Sequence, residues 1–127
     1  PDPRRDMSPR EEARALIERV IHLYNEKDLD GLSELYADDI TLWSALGSEV
    51  EGKEAFLDHV AELFEHLSDE QMTADVMITD GSAVVVEFTS RGTHDGSPYE
   101  LTFTEVFEIS NGLLKSVKTY IDPDDVP

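Results

Sequence analysis

The sequence contains no cysteine. That excludes disulfides, thiolate nucleophiles and cysteine-ligated metal sites. Cations are scarce as well: 10 Lys and Arg stand against 29 Asp and Glu, a net charge of -19. Such a chain repels a phosphate backbone, so nucleic acid is not an expected partner. Anionic membrane surfaces are disfavoured for the same reason. No apolar run approaches the roughly 18 residues that span a bilayer. The opening "PDPRRDMSPREEA" is charged and lacks the apolar centre of a signal peptide. A cytoplasmic location and no membrane contact are therefore the expectation. The acidity itself has two readings: a solvated surface that keeps the protein dissolved, and adaptation to a salt-rich habitat.

What remains suffices for one core. A chain of 127 residues with 39% hydrophobic content suits a single domain over residues 1–127, with 1–8 and 122–127 as loosely ordered tails. Ser8-Pro9-Arg10-Glu11 has the pattern of a helix start, with Ser as cap, Pro in the first turn and Glu at the third position. Ala13, Leu16, Ile17, Val20, Ile21 and Tyr24 then recur at helical spacing. Asp28 or Asp30 caps a short second helix with Leu29, Leu32, Leu35 and Tyr36 inward. Ile40 to Ser44 reads as a strand. Lys53 to Leu67 reads as a third helix, with Phe56, Val60, Leu63, Phe64 and Leu67 inward.

The second half changes character. Met72 to Thr79, Ala83 to Thr93, Tyr99 to Ile109 and Leu113 to Ile121 read as strands. The turn signals "TDGS", "HDGSP" and "SNG" separate them. Consecutive hairpins imply antiparallel pairing. The order predicts an α+β fold: a strongly curved antiparallel sheet with three helices on its concave side. Such a cone encloses a pocket walled by the inward side of the long strands.

The helix-to-strand junction "LYADDITLW", the run "GSEVEGKEAF" and the hairpin "DGSPYELTFTEVFEISNGLLKSVKTYI" resemble the nuclear transport factor 2-like superfamily. Within it the chain is most similar to the ketosteroid isomerase and SnoaL-like polyketide cyclase branch. Resemblance of this kind implies a fold, while function lives in the residues grafted on it. Ketosteroid isomerase uses an Asp base, with a Tyr and a protonated Asp holding the enolate oxygen. The base position falls on Ser44, the Tyr position on Val20 and the protonated-Asp position on Glu105. A serine with no adjacent base does not abstract a carbon-bound proton near neutral pH. Tyr24, one turn beyond Val20, is the substitute donor. The Asp-Arg-Asp set of the superfamily's epoxide hydrolases loses two parts, since its last-strand Asp falls near Thr119 and no inward Arg-x-Asp precedes "HDGSP". The histidines that a scytalone-dehydratase-like site requires are missing from the long strands, where only His94 occurs, at a turn tip. SnoaL-type cyclases pair an Asp with a His, roles open here to Glu105 and His59.

Glu105 shares its strand face with Tyr99, Leu101, Phe103 and Phe107. A carboxylate on an apolar face is costly unless paired, and its pKa tends to rise. The candidate catalytic residues are thus Glu105, Tyr24 and Ser44. The first helix adds Val20 to the pocket wall and the first strand adds Leu42. The third helix adds Phe56, His59, Val60 and Leu63. Val86, Phe88 and Phe103 come from the central strands, and Thr119 and Ile121 from the last. No spacing suggests a metal, and no cofactor is expected. Asp38 and Asp39 read as a solvated helix-to-strand junction. Trp43 and Val106 fall on the opposite sheet face, where an apolar surface marks an interface, and the resemblance implies a homodimer there. The expected function is binding of a small apolar, carbonyl-bearing molecule with acid/base isomerase- or cyclase-type chemistry. The alternatives are a non-catalytic binding protein and a structural homodimer of the same fold.

Overall fold

The computed structural model describes residues 7–127. Three helices, α1 (Pro9–Asn25), α2 (Leu29–Leu35) and α3 (Lys53–His66), accompany six strands. The strands are β1 (Tyr36–Ser44), β2 (Glu49–Glu51), β3 (Gln71–Thr79), β4 (Ala83–His94), β5 (Ser97–Ser110) and β6 (Leu113–Tyr120). They form one sheet in the order β2-β1-β6-β5-β4-β3. The α+β cone is as expected, with one correction. The sheet is mixed, because β1 runs parallel to β6 while every other neighbouring pair is antiparallel. Tight turns fix the direction of chain neighbours only. Strand β1 reaches its place beside β6 through the rest of the chain, where no turn constrains its direction.

Local chemistry sets the elements. Ser8 Oγ accepts from the Glu11 backbone N–H at 3.2 Å and Glu11 Oε1 accepts from the Ser8 N–H at 3.4 Å, completing a capping box. Lys27, at φ 61°, turns the chain out of α1, and Asp28 caps α2 by accepting from the Gly31 N–H at 2.9 Å. Asp95-Gly96 and Asn111-Gly112 all have positive φ, the conformation of a two-residue hairpin turn whose twist matches the flanking strands. Asp80 makes the third turn by accepting from the Ser82 and Ala83 N–H groups at 2.9 Å each.

The core lies between the helices and the concave face. Ile17, Leu32, Ile40, Val84, Val86 and Phe88 are fully buried. Register irregularities occur between Ala74 and Val76, between Tyr36 and Thr41, and between Glu108 and Ile109. Bulges of this kind bend a sheet and raise its twist. Lys115, the extra β6 residue at the last of them, pairs with Asp39 in the irregular part of β1. Asp38 and Asp39 are exposed, but they lie inside β1, which starts at Tyr36 and not at the expected Ile40. The terminal segment expected to fray instead forms a 3₁₀ turn over Pro123–Asp125, capped by Asp122. Residues 1–6 lie outside the described residues.

At its C-terminal end α1 is tied to β3 by a side chain that acts as backbone. Asn25 accepts from the Met72 N–H at 2.8 Å and donates to the Met72 carbonyl at 2.9 Å. Gly92 of β4 lets the chain before β3 approach. A Cβ there would lie 2.9 Å from Asp69 Oδ1 and 3.0 Å from the Tyr99 hydroxyl oxygen. Gly92→Ala is therefore expected to destabilise the fold by about 1–3 kcal/mol, read as a lowered urea midpoint at unchanged m-value. An unchanged midpoint would show that Asp69 and Tyr99 move aside freely.

Candidate functional site

The helices and the concave face enclose a cavity of about 600 Å³. Aromatic and aliphatic side chains make most of its wall, among them Val20, Leu42, Phe56, Val60, Phe88 and Phe103. Leu63, Thr119 and Ile121 line it as expected, and His59 does so from α3. Val86 does not. It is fully buried directly opposite Glu105 on β4, in the solid core, where packing leaves it no surface toward the cavity. Val126 and Pro127 of the terminal segment reach the cavity as well.

Glu105 lies on the concave face, paired across the sheet with Val86 on one side and Thr119 on the other. The register makes its partner inevitable: Thr119 Oγ1 donates to Glu105 Oε2 at 2.6 Å. Glu105 is half-buried and lines the cavity. Loss of water is the largest influence on it and raises its pKa. The Thr119 bond pulls the value back, and the negative charge of Glu70 pushes it up again. The outcome is a rise from the ordinary 4.5 to about 7. Near neutral pH this group therefore both gives and takes a proton. His59, the expected partner, is not its hydrogen-bond partner; Thr119 is.

A second carboxyl stands in the same cavity. Glu70, immediately before β3, is 6% exposed. Tyr24 donates to its Oε1 at 2.6 Å and Ser90 to its Oε2 at 2.5 Å. The Tyr99 hydroxyl lies 3.2 Å from Ser90 Oγ. Lys27 Nζ donates to the Glu70 backbone carbonyl at 2.6 Å, not to the carboxylate, and sits 5.3 Å from the Tyr24 ring centroid and 5.2 Å from that of Phe64. Loss of water lowers the pKa of Lys27, while Glu70 and Asp69 oppose that shift. Burial, then the charge of Glu70, holds the Tyr24 hydroxyl far above its ordinary range. Burial and then Glu105 do the same to Tyr36, which lines the cavity and packs edge-on against Phe56 at 4.8 Å.

One expected donor, Tyr24, is thus occupied elsewhere, and the oxygen of the other, Ser44, is held in a turn. Tyr24 faces the cavity, but its proton goes to Glu70. Ser44 lines the cavity, yet its Oγ accepts from the Leu46 N–H at 3.1 Å and shapes the turn after β1. Glu70, Tyr36 and Tyr99 were not among the sequence candidates. Tyr36 was visible only as an inward residue ending a helix. Tyr99 was visible as part of an alternating face. Glu70 had no local signal, because its partners lie 46 and 20 positions away.

The profile of the SnoaL-like domain family matches residues 17–117. The chain belongs to that family. Among solved structures, a candidate polyketide cyclase from Xanthomonas campestris pv. campestris superposes with a TM-score of 0.86 at 21% identity, covering 92% of this chain and 95% of that one. An LEH-like epoxide hydrolase from M. tuberculosis gives 0.79 at 19% identity, covering 90% and 85%. A hypothetical protein of ketosteroid isomerase-like fold from Catenulispora acidiphila, solved in complex with trimethylamine, gives 0.79 at 18% identity, covering 87% and 88%. These similarities establish the nuclear transport factor 2-like fold. No curated protein sequence matches. No helix among the described residues is long and apolar enough to cross a membrane.

The carboxyl of Glu105 should titrate near 7 when followed by carbon-13 chemical shift. The midpoint should fall in Glu70→Gln, which removes a negative neighbour, and rise in Thr119→Val, which removes the bond that favours the ionised form. Stability follows with a definite sign. The folded state holds its proton up to about pH 7 and the unfolded state only to about 4.5. This contribution is therefore complete below about pH 4.5 and is lost as pH rises through 7. A wild-type stability profile in that window no steeper than that of Glu105→Gln would contradict the assignment.

Proposed function

We propose that the protein binds a small apolar, carbonyl-bearing molecule in the cone cavity and performs acid/base chemistry of the isomerase or cyclase type on it. The observation that carries this reading is the enclosed carboxyl of Glu105, on an apolar wall and fixed by Thr119. In its neutral form Glu105 donates to the carbonyl oxygen and favours the enol. In its ionised form it accepts the proton released from the adjacent carbon. A pKa near the working pH makes both directions accessible. Apolar walls bind the body of the molecule and keep out the water that would compete for the carbonyl. The family's cyclase and epoxide-hydrolase relatives support the class of chemistry.

A second reading, a binding module without turnover, draws on one fact: Tyr24 gives its proton to Glu70, so it does not donate to an enolate. Proton exchange separates the two. With 2-tetralone in D₂O, deuterium should enter the carbon positions beside the carbonyl faster than in buffer. Glu105→Gln should lower that rate by about 10²–10⁴-fold. Exchange at the buffer rate would leave the binding module. Isomerisation of a 3-oxo-Δ5-steroid is expected to be negligible, because Ser44 stands at the base position.

The proposed assembly is a homodimer through the convex sheet face. Ile78, Val85, Val106, Lys118 and Trp43 form one row across that face. Ile78, Val85 and Trp43 are exposed, and the Tyr120 ring packs at a tilt against Trp43, centroids 5.2 Å apart. With -19 on each chain, association should tighten with salt, because screening weakens the repulsion between chains. Sedimentation equilibrium should give a dimer that Val85→Lys disrupts, and a monomer at every salt concentration would exclude it.

A further inference from the structure

The Glu70 cluster gives the cavity a second pole, opposite in hydrogen-bonding sense to the first. The two bonds to its carboxylate, at 2.6 and 2.5 Å, have the length of hydroxyl-to-carboxylate bonds. Ser90 gives its only proton to Glu70, so in the 3.2 Å contact between Ser90 and Tyr99 the donor is Tyr99. Every hydroxyl proton of the cluster therefore points toward Glu70. What Tyr24, Tyr99 and Glu70 have left for the cavity they line is lone pairs. Among the described residues no cation makes an ion-pair contact with the Glu70 carboxylate, and Lys27 is directed to its backbone carbonyl. A buried carboxylate in this state favours a guest that brings a proton.

The two poles are spaced along one strand. Glu105 stands opposite Val86, and Ser90 lies four residues further along β4, a rise of about 13 Å. Between these levels the wall is Phe88 and Phe103, whose ring centroids are 5.5 Å apart.

We propose that the cavity selects an apolar, polycyclic-sized molecule carrying an acceptor at one end and a hydrogen-bond donor at the other. The carbonyl lies at Glu105, and a hydroxyl or protonated amine lies at the Glu70–Tyr24–Tyr99 pole. The carbonyl end rests on the reading of Glu105 given above; the donor end rests on the cluster alone. Anionic groups are disfavoured at that pole by the negative charge of Glu70 and by the lack of free hydroxyl protons.

Equilibrium dialysis with a matched steroid set tests this. Estrone carries a ketone and a phenol at opposite ends of a rigid apolar body. Its 3-methyl ether lacks only the donor, its 3-deoxy analogue lacks the oxygen, and its 3-sulfate carries a negative charge. Estrone should bind about ten-fold tighter than the ether or the deoxy compound, the worth of one good hydrogen bond. The sulfate should not bind. In Glu70→Gln the amide donates toward Ser90, reversing that arm of the chain, so the preference for the phenol should shrink or invert. Tyr99→Phe, which leaves Glu70 bonded to Tyr24 and Ser90, should also reduce it. Equal affinity for phenol and ether in the wild-type protein, with Glu105→Gln weakening both, would overturn the donor pole and leave the carbonyl end standing. A phenol preference that Glu70→Gln abolishes, with no affinity altered by Glu105→Gln, would support the pole and remove the carbonyl end. Failure of all four compounds to bind would overturn both.

Discussion

The carboxylate of Glu70 is the point on which the cavity depends. Its two oxygens join three elements that are remote in sequence: Tyr24 from α1, Ser90 from β4, and the segment entering β3. A buried charge of this kind tolerates no loss of partners, because each bond removed leaves an ion without water and without a donor. That intolerance fixes the end of α1 against the sheet. The bracket made by Asn25 on Met72 repeats the attachment with neutral groups. Between the attached helix end and the strands the cone stays open; without the attachment, apolar surfaces of this kind would close on one another.

From that constraint follows the electrical character of the interior. Both carboxyls are in one cavity, and Glu70 makes ionisation of Glu105 harder. The two differ in their donors: Glu70 accepts from two hydroxyls, Glu105 from one. The largest influence on Glu105 is its loss of water, which raises its pKa further.

Much of this fold was legible in the chain. The capping box at Ser8, the Asp-Gly and Asn-Gly turns and the alternation through Tyr99 to Phe107 are local signals, and each describes its own neighbourhood. Glu105 was legible for the same reason, as a carboxyl on an otherwise apolar face whose direction the alternation sets. Glu70 was not, because nothing near it in sequence reveals that it is buried; its burial is created by Tyr24 and Ser90. The role of Tyr24 was misassigned for the same reason, since its proton acceptor belongs to a different part of the chain. Val86 had the correct face but the wrong depth, and periodicity carries no information on depth. The parallel pairing of β1 with β6 is likewise a long-range fact, invisible to turn signals.

That pairing has a consequence in time. The first long strand and the last are neighbours, with Leu42 beside Val117 and Ser44 beside Thr119. During synthesis β1 emerges early, and until β6 follows only the short β2 is there to pair with it. Closing so long a loop is slow compared with forming the hairpins between β3 and β6. The residue that holds Glu105 in position, Thr119, arrives with β6. The acid site is therefore among the last parts of the molecule to exist, and a chain interrupted before β6 would hold helices and hairpins without it.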